Sequence, residues 1–172
     1  MSERNRRLLL LRHAVAEQTS GIDDASRRLT DRGRRDAMEV GRWLADRQIT
    51  CDIVFCSSSM RTRDTWAAAT DGGATADVVQ VRRELYDGGT RGVLEVLHTE
   101  AADAGTVLVV GHAPTMPSLV ATLTDSAGST TAQAALAQGY PTSALAVLRY
   151  AGDWLALAPR TCVLDDFYIG RG

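Results

Sequence analysis

The chain contains no lysine; all 19 of its basic side chains are arginine. Set against 21 carboxylates they leave a net charge of −2, so the basic excess expected of a nucleic-acid binder is missing. Cysteine is scarce and odd in number. Cys51, Cys56 and Cys162 form no C-x-x-C pair, which argues against a zinc site and fits free thiols in a reducing cytoplasm. No apolar run reaches the length of a bilayer span, and Leu8–Leu11 is too short for a signal-peptide core. A cytoplasmic protein with neither membrane nor nucleic acid as partner is therefore expected. The signature loops of several large enzyme classes are also absent. Nothing like G-x-G-x-x-G follows the first apolar run, and there is no P-loop and no G-x-S-x-G elbow. No internal repeat or linker interrupts the 172 residues, so residues 1–172 are expected to form one domain with a sizeable core.

What the chain does have is a series of short apolar runs separated by helical patterns. Leu8-Leu9-Leu10-Leu11 is too short for a helix and predicts a buried central strand, after a loose polar lead-in from Met1 to Arg7. Residues 14–28 are aperiodic and predict a loop over the strand end. Thr30 is placed to cap a helix running to about Arg47, with Ala37, Val40, Gly41 and Leu44 as its apolar stripe. A second strand is expected at 52–56. Ser57-Ser58-Ser59 then offers N-cap hydroxyls to a helix at 60–70 with Thr62, Thr65, Trp66 and Ala69 on one side. Further strands are expected at 78–82 and 106–110, each followed by a helical pattern. Residues 125–139 suggest a mobile loop or weak helix. Strands at 144–150 and 154–158 would close the fold as a hairpin, turning at Gly152-Asp153, and the tail after Leu164 carries no signal. The alternation predicts an α/β fold, a three-layer sandwich whose mainly parallel central sheet has helices on both faces.

Three of the predicted strands lead into residues of one chemical kind. The first ends at Arg12-His13, the second leads through serines to Arg61 in a helix's first turn, and the fourth ends at Gly111-His112. In an open α/β sheet the ligand crevice lies outside the carboxyl ends of the strands. If these strands are neighbours, two guanidiniums, two imidazoles and helix N-termini meet in one place, an arrangement suited to a phosphate dianion. His98 sits in an amphipathic pattern without basic company and is expected to be structural.

Leu11-Arg12-His13, the segment from Ser57 to Thr65 and Gly111-His112-Ala113-Pro114 resemble the R-H, S-S-x-x-R-[AT]-x-x-T and G-H-x-P signatures of the histidine phosphatase superfamily, the phosphoglycerate-mutase-like phosphatases. Leu29-Thr30, Gly33 and Pro141-Thr142-Ser143 look like the small bacterial phosphohistidine phosphatase branch. The resemblance implies that His13 is the nucleophile that becomes phosphorylated. Arg12 and Arg61 would clamp the phosphate oxygens, and His112 would bond a further oxygen. No metal and no cofactor are implied. Many relatives place a Glu two residues after a Leu as proton donor. Here Leu85-Tyr86-Asp87 puts Asp87 at that position, with Glu84 as a nearby alternative. The implied activity is a metal-independent phosphatase acting on phosphohistidine in a partner protein. The alternatives are a small phosphate ester as substrate, or a phospho-ligand binding module without turnover.

Overall fold

The computed structural model describes residues 5–18 and 20–172. Strand β1 (Arg6–Arg12) carries Leu8, Leu9, Leu10 and Leu11, all fully buried because both faces of the strand are covered. In chain order there follow α1 (Asp31–Asp46), β2 (Cys51–Ser57), α2 (Met60–Asp71), β3 (Ala76–Arg82), the single turn α3 (Glu84–Asp87), α4 (Gly89–Glu100), β4 (Thr106–Gly111) and α5 (Thr115–Leu123). The chain closes with β5 (Thr124–Gly128), α6 (Thr130–Ala137), β6 (Ala144–Tyr150) and β7 (Cys162–Ile169). The strands form one seven-stranded sheet in the order β3-β2-β4-β1-β6-β7-β5, in which β6 alone runs against the others.

Side-chain alternation along β1 divides the core in two. Leu9 and Leu11 pack with Val40, Trp43 and Leu44 of α1 and with Trp66 and Ala69 of α2. Leu8 and Leu10 face the other way, onto Val93 and Leu97 of α4 and Met116 and Leu119 of α5. Helices therefore cover both faces, as the α/β sandwich requires. Helix α1 starts where Thr30 Oγ1 accepts the Gly33 N–H at 3.0 Å. Gly41 lets α1 close on α2, because a Cβ there would lie 1.9 Å from the Ala69 carbonyl oxygen. Among the described residues no helix is long and apolar enough to cross a membrane.

Four local expectations are corrected. Residues 1–4 of the expected lead-in lie outside the described residues, as does Thr19 of the 14–28 loop, but Arg6 and Arg7 belong to β1. Arg6 is buried because its guanidinium bonds the Gly152 carbonyl at 3.0 Å and pairs with Asp153 at 3.0 Å. The strand that follows and pairs with β6 is Cys162–Ile169, which runs on into the tail after Leu164 that carries no signal, and not residues 154–158. A register shift between Val147 and Leu148 inserts Asp165 as an extra residue, which breaks the alternation that would have marked the strand. Trp154–Ala156 is instead a 3₁₀ turn, pinned by Trp154 Nε1–H donating to the Ala104 carbonyl at 2.7 Å. Residues 124–128 form the edge strand β5, and the weak-helix reading holds for α6, whose N-terminus Ser129 caps. Ser59 occupies the N-cap of α2 but makes no side-chain cap; its hydroxyl lies 2.9 Å from Thr62 Oγ1.

Candidate active site

Strands β2, β4 and β1 are parallel neighbours, with Cys56 opposite Val110 and Gly111 opposite Arg12. Their carboxyl ends consequently emerge side by side and set Ser57, His112 and His13 in one row. The His13 and His112 ring centroids are 5.4 Å apart. Arg61, on the first turn of α2, reaches the same row from the α1–α2 face and is 6% exposed. A cavity of about 350 Å³ is lined by Arg12, His13, Arg61 and His112, together with Arg27, Thr142 and the loop residues Val15, Ala16 and Gln18. Four side chains drawn from three strand ends thus share one concave site, as expected at the crevice of a parallel sheet.

The backbone around His13 is fixed from two sides. Its N–H donates to the Gly111 carbonyl at 2.9 Å, and its own carbonyl accepts from Ser143 N–H at 3.2 Å. The imidazole Nδ1 lies 2.8 Å from the Ala14 carbonyl oxygen, which can only accept, so Nδ1 carries the ring hydrogen. Nε2 of the neutral ring is left as an unprotonated lone pair. Burial pulls His13 down to about 4, helped by the charges of Arg61, Arg12 and Arg27 and opposed by the Ala14 hydrogen bond. At neutral pH the ring is therefore neutral, with its Nε2 lone pair free.

Arg12 donates from one terminal nitrogen to the Tyr140 carbonyl at 2.8 Å. Arg61 donates to the Asp24 carbonyl oxygen at 2.7 Å and to its carboxylate at 3.0 Å. In both side chains Nε is buried and has no acceptor among the described residues. These are strong donors on fixed cations, suited to an oxyanion. His112 Nε2 is 2.8 Å from Ser57 Oγ, and its Nδ1 is 3.4 Å from an Arg61 nitrogen. Burial first, and then the charges of His13 and Arg61, push His112 down to about 3. Among the described residues no cluster of His, Cys, Asp and Glu is arranged to hold a metal ion.

The carboxylate that meets this group is neither Asp87 nor Glu84. Asp87 pairs with Arg83, one turn back along α3, at 3.2 Å and is half exposed. Glu84 is exposed at the start of the same turn. α3 instead sends Tyr86 towards the site, its ring edge-on to His112 with centroids 5.7 Å apart. The Tyr86 hydroxyl donates to Asp24 Oδ2 at 2.8 Å, and Arg27 holds the other carboxylate oxygen at 3.0 Å. The Tyr86 hydrogen bond, with Arg27 and Arg61, keeps the Asp24 carboxyl well below the usual range, at about 2. Asp24, Arg27 and Tyr86 escaped the sequence reading because two of them lie in an aperiodic loop and the third stands beside the residue the motif points to. The loop is strapped down by Arg28, whose guanidinium grips Asp64 of α2 at 2.8 and 2.9 Å. His98, as expected, is structural in its contacts, with Nε2 at 2.8 Å from the Leu157 carbonyl.

Comparison with known proteins agrees with this geometry. Residues 8–87 match the model of the histidine phosphatase superfamily, branch 1. The uncharacterised Mycobacterium tuberculosis protein Rv1276c is 35% identical over 162 residues, covering 94% of this chain and all of that protein. A structure from Nakamurella multipartitia, provisionally described as the phosphohistidine phosphatase SixA, superposes with a TM-score of 0.82 at 36% identity over 96% of both chains. A second, from Agrobacterium tumefaciens and described in the same terms, gives 0.74 at 30% identity over 95% of this chain and 97% of that one. The chain belongs to the histidine phosphatase superfamily and is a SixA-like phosphatase.

Proposed function

We propose that this phosphatase removes the phosphoryl group from phosphohistidine presented by another protein, through a phosphorylated His13. The observation that carries the reading is the unprotonated Nε2 of His13 in a cavity shared with two guanidiniums whose Nε–H groups have no acceptor among the described residues. In the first step the Nε2 lone pair attacks phosphorus, and the bond from phosphorus to the leaving nitrogen breaks with its electron pair going to that nitrogen. In the second, water displaces His13 from phosphorus and gives up its proton. Arg12, Arg61 and His112 stabilise the charge that develops on the equatorial oxygens.

The choice of substrate follows from the acid. Asp24 is ionised and bound to Arg61, so at rest it is not a carboxylic acid ready to protonate a leaving group. An alkoxide needs a strong, well-placed acid. An imidazole, with an unperturbed pKa near ~6.5, leaves as a neutral ring once protonated and needs little help. We assign the proton-donor role to Asp24 in preference to Asp87. An incoming dianion competes for Arg61 and raises the carboxyl pKa beside it.

The test is a panel of a phosphohistidine peptide, an aryl phosphate and an alkyl phosphate, run on the parent, Asp24→Asn and Asp87→Asn. Phosphohistidine should turn over fastest and the alkyl ester slowest. Asp24→Asn should lower ester turnover by roughly 10²-fold, typical of losing one general acid, and phosphohistidine turnover by less. Asp87→Asn should change neither. Rapid alkyl-ester hydrolysis without action on phosphohistidine would move the assignment to a small phosphate ester.

A further inference from the structure

The two ring nitrogens of His112 have different partners. Nε2 is 2.8 Å from the hydroxyl of Ser57, a side chain with no solvent exposure at the end of β2. Nδ1 is 3.4 Å from an Arg61 nitrogen. A guanidinium has donors and no acceptor, so Nδ1 meets Arg61 as a lone pair. The neutral ring therefore carries its hydrogen on Nε2 and donates it to Ser57 Oγ. For an oxyanion this is the wrong tautomer, because the nitrogen beside Arg61 would turn a lone pair towards a phosphate oxygen.

We propose that Ser57 is a positioning residue that sets the tautomer of His112, accepting from Nε2–H in the free site and donating its own hydrogen to Nε2 when an oxyanion draws the ring hydrogen to Nδ1. The proposal rests on the reading of the cavity as a phosphate site. A hydroxyl suits this task because it has one donor and two acceptor positions and turns freely between them. The Ser57 hydroxyl has no other partner among the described residues, since Thr62 engages only the Ser57 carbonyl oxygen.

Protonating the whole ring is the competing way to place hydrogen on Nδ1. The groups around His112 disfavour it: Arg12 and His13 at the end of β1, and Arg61 from α2, oppose a further positive charge, Asp24 favours one, and Tyr86 from α3 adds a ring edge. The tautomer change needs no net proton. One proton leaves Nε2 for solvent, one arrives at Nδ1, and Ser57 keeps its own.

Sulfate, a dianion throughout the neutral range, is the probe. On full-length protein carrying ¹⁵N-histidine, His98→Asn and His13→Ala spectra assign the His112 resonances. At pH 7.5 without sulfate, Nε2 should be protonated and Nδ1 bare; with saturating sulfate the two should exchange roles. Protonation of both nitrogens in the bound state, or an unchanged tautomer, overturns the proposal and leaves the phosphate site standing. Failure of sulfate to bind at all, or binding unaffected by Arg61→Ala, overturns both. A second measurement compares sulfate affinity in His13→Ala with and without Ser57→Ala, so that a single site imidazole titrates. Without the hydroxyl the Nε2 lone pair of the Nδ1–H ring has no donor, so the neutral bound form loses its support, the imidazolium carries more of the binding, and affinity should fall with rising pH between pH 6 and 8, by at most about tenfold per unit. With Ser57 present it should change by less than about threefold over that range. Loss by one constant factor at every pH would mark Ser57 as merely structural.

Discussion

In the proposed mechanism Arg61→Ala removes a cation that acts on the reaction in two ways, and the two should leave different marks on a pH profile. The guanidinium stands on the first turn of α2 with a buried Nε–H that has no acceptor among the described residues, and a terminal nitrogen lies 3.4 Å from His112 Nδ1. Loss of one such preorganised donor costs roughly 10²–10³ in rate, or about 3–4 kcal/mol of transition-state stabilisation. The same charge lowers the pKa of His13 and of His112, in both cases behind burial, so its removal lets both rise. The acid limb of the profile, set by the fraction of neutral His13, starts near pH 4 in the parent and should move towards neutrality in the variant. The fold should survive, because Asp24 is half exposed and keeps Arg27 and Tyr86 as partners. Arg61→Lys should fall between parent and Ala, since an ammonium keeps the charge and loses the planar fork. The assay is kcat/KM for an aryl phosphate and a phosphohistidine peptide from pH 4 to 8, with a thermal melt as control. A variant within threefold of the parent at pH 7, or one whose acid limb does not move, would refute this account of the site.

Two further outcomes follow from the same groups. His13→Ala should abolish turnover and trapping of a phosphorylated enzyme while retaining sulfate binding through Arg12 and Arg61; residual phosphoenzyme in a rapid-quench experiment would place the nucleophile elsewhere. Both histidines have folded-state pKa values below the unfolded ~6.5, so the unfolded chain binds more protons in acid. Stability should therefore be fully present above about pH 6.5 and decline towards pH 4, by an amount on the order of 2–3 kcal/mol per histidine, and His13→Ala should flatten part of that decline in denaturant titrations.

Much of this molecule was open to reading from residue order alone because its central strands are buried on both faces. Leu8–Leu11 and Val107–Val110 form continuous apolar runs, and such runs declare a parallel sheet without any knowledge of its order. Arg12, His13, Arg61 and His112 could be named as candidates because each closes or follows such a run, and because chemistry of that kind needs fixed residue types. Strand β7 stayed hidden for a physical reason: Asp165 sits in a bulge, and a bulge destroys the period of two by which a strand is recognised. Tertiary structure also decided which carboxylate meets the site. Spacing pointed to Asp87, but α3 is a single turn whose register sends Tyr86 to His112 and leaves Asp87 with Arg83 in solvent. The loop that carries Asp24 is anchored by Arg28 to Asp64, a contact between residues 36 apart in the chain, and Asp24 itself is held by Arg61 and Tyr86. The ring nitrogen that each histidine keeps bare depends on the Ala14 carbonyl beside His13 and on the Arg61 guanidinium beside His112, the latter brought from another element. Sequence determined which groups the site has, since composition and run length are local properties. The protonation, partner and direction of those groups were decided by folding, because they depend on neighbours that the chain order does not place side by side.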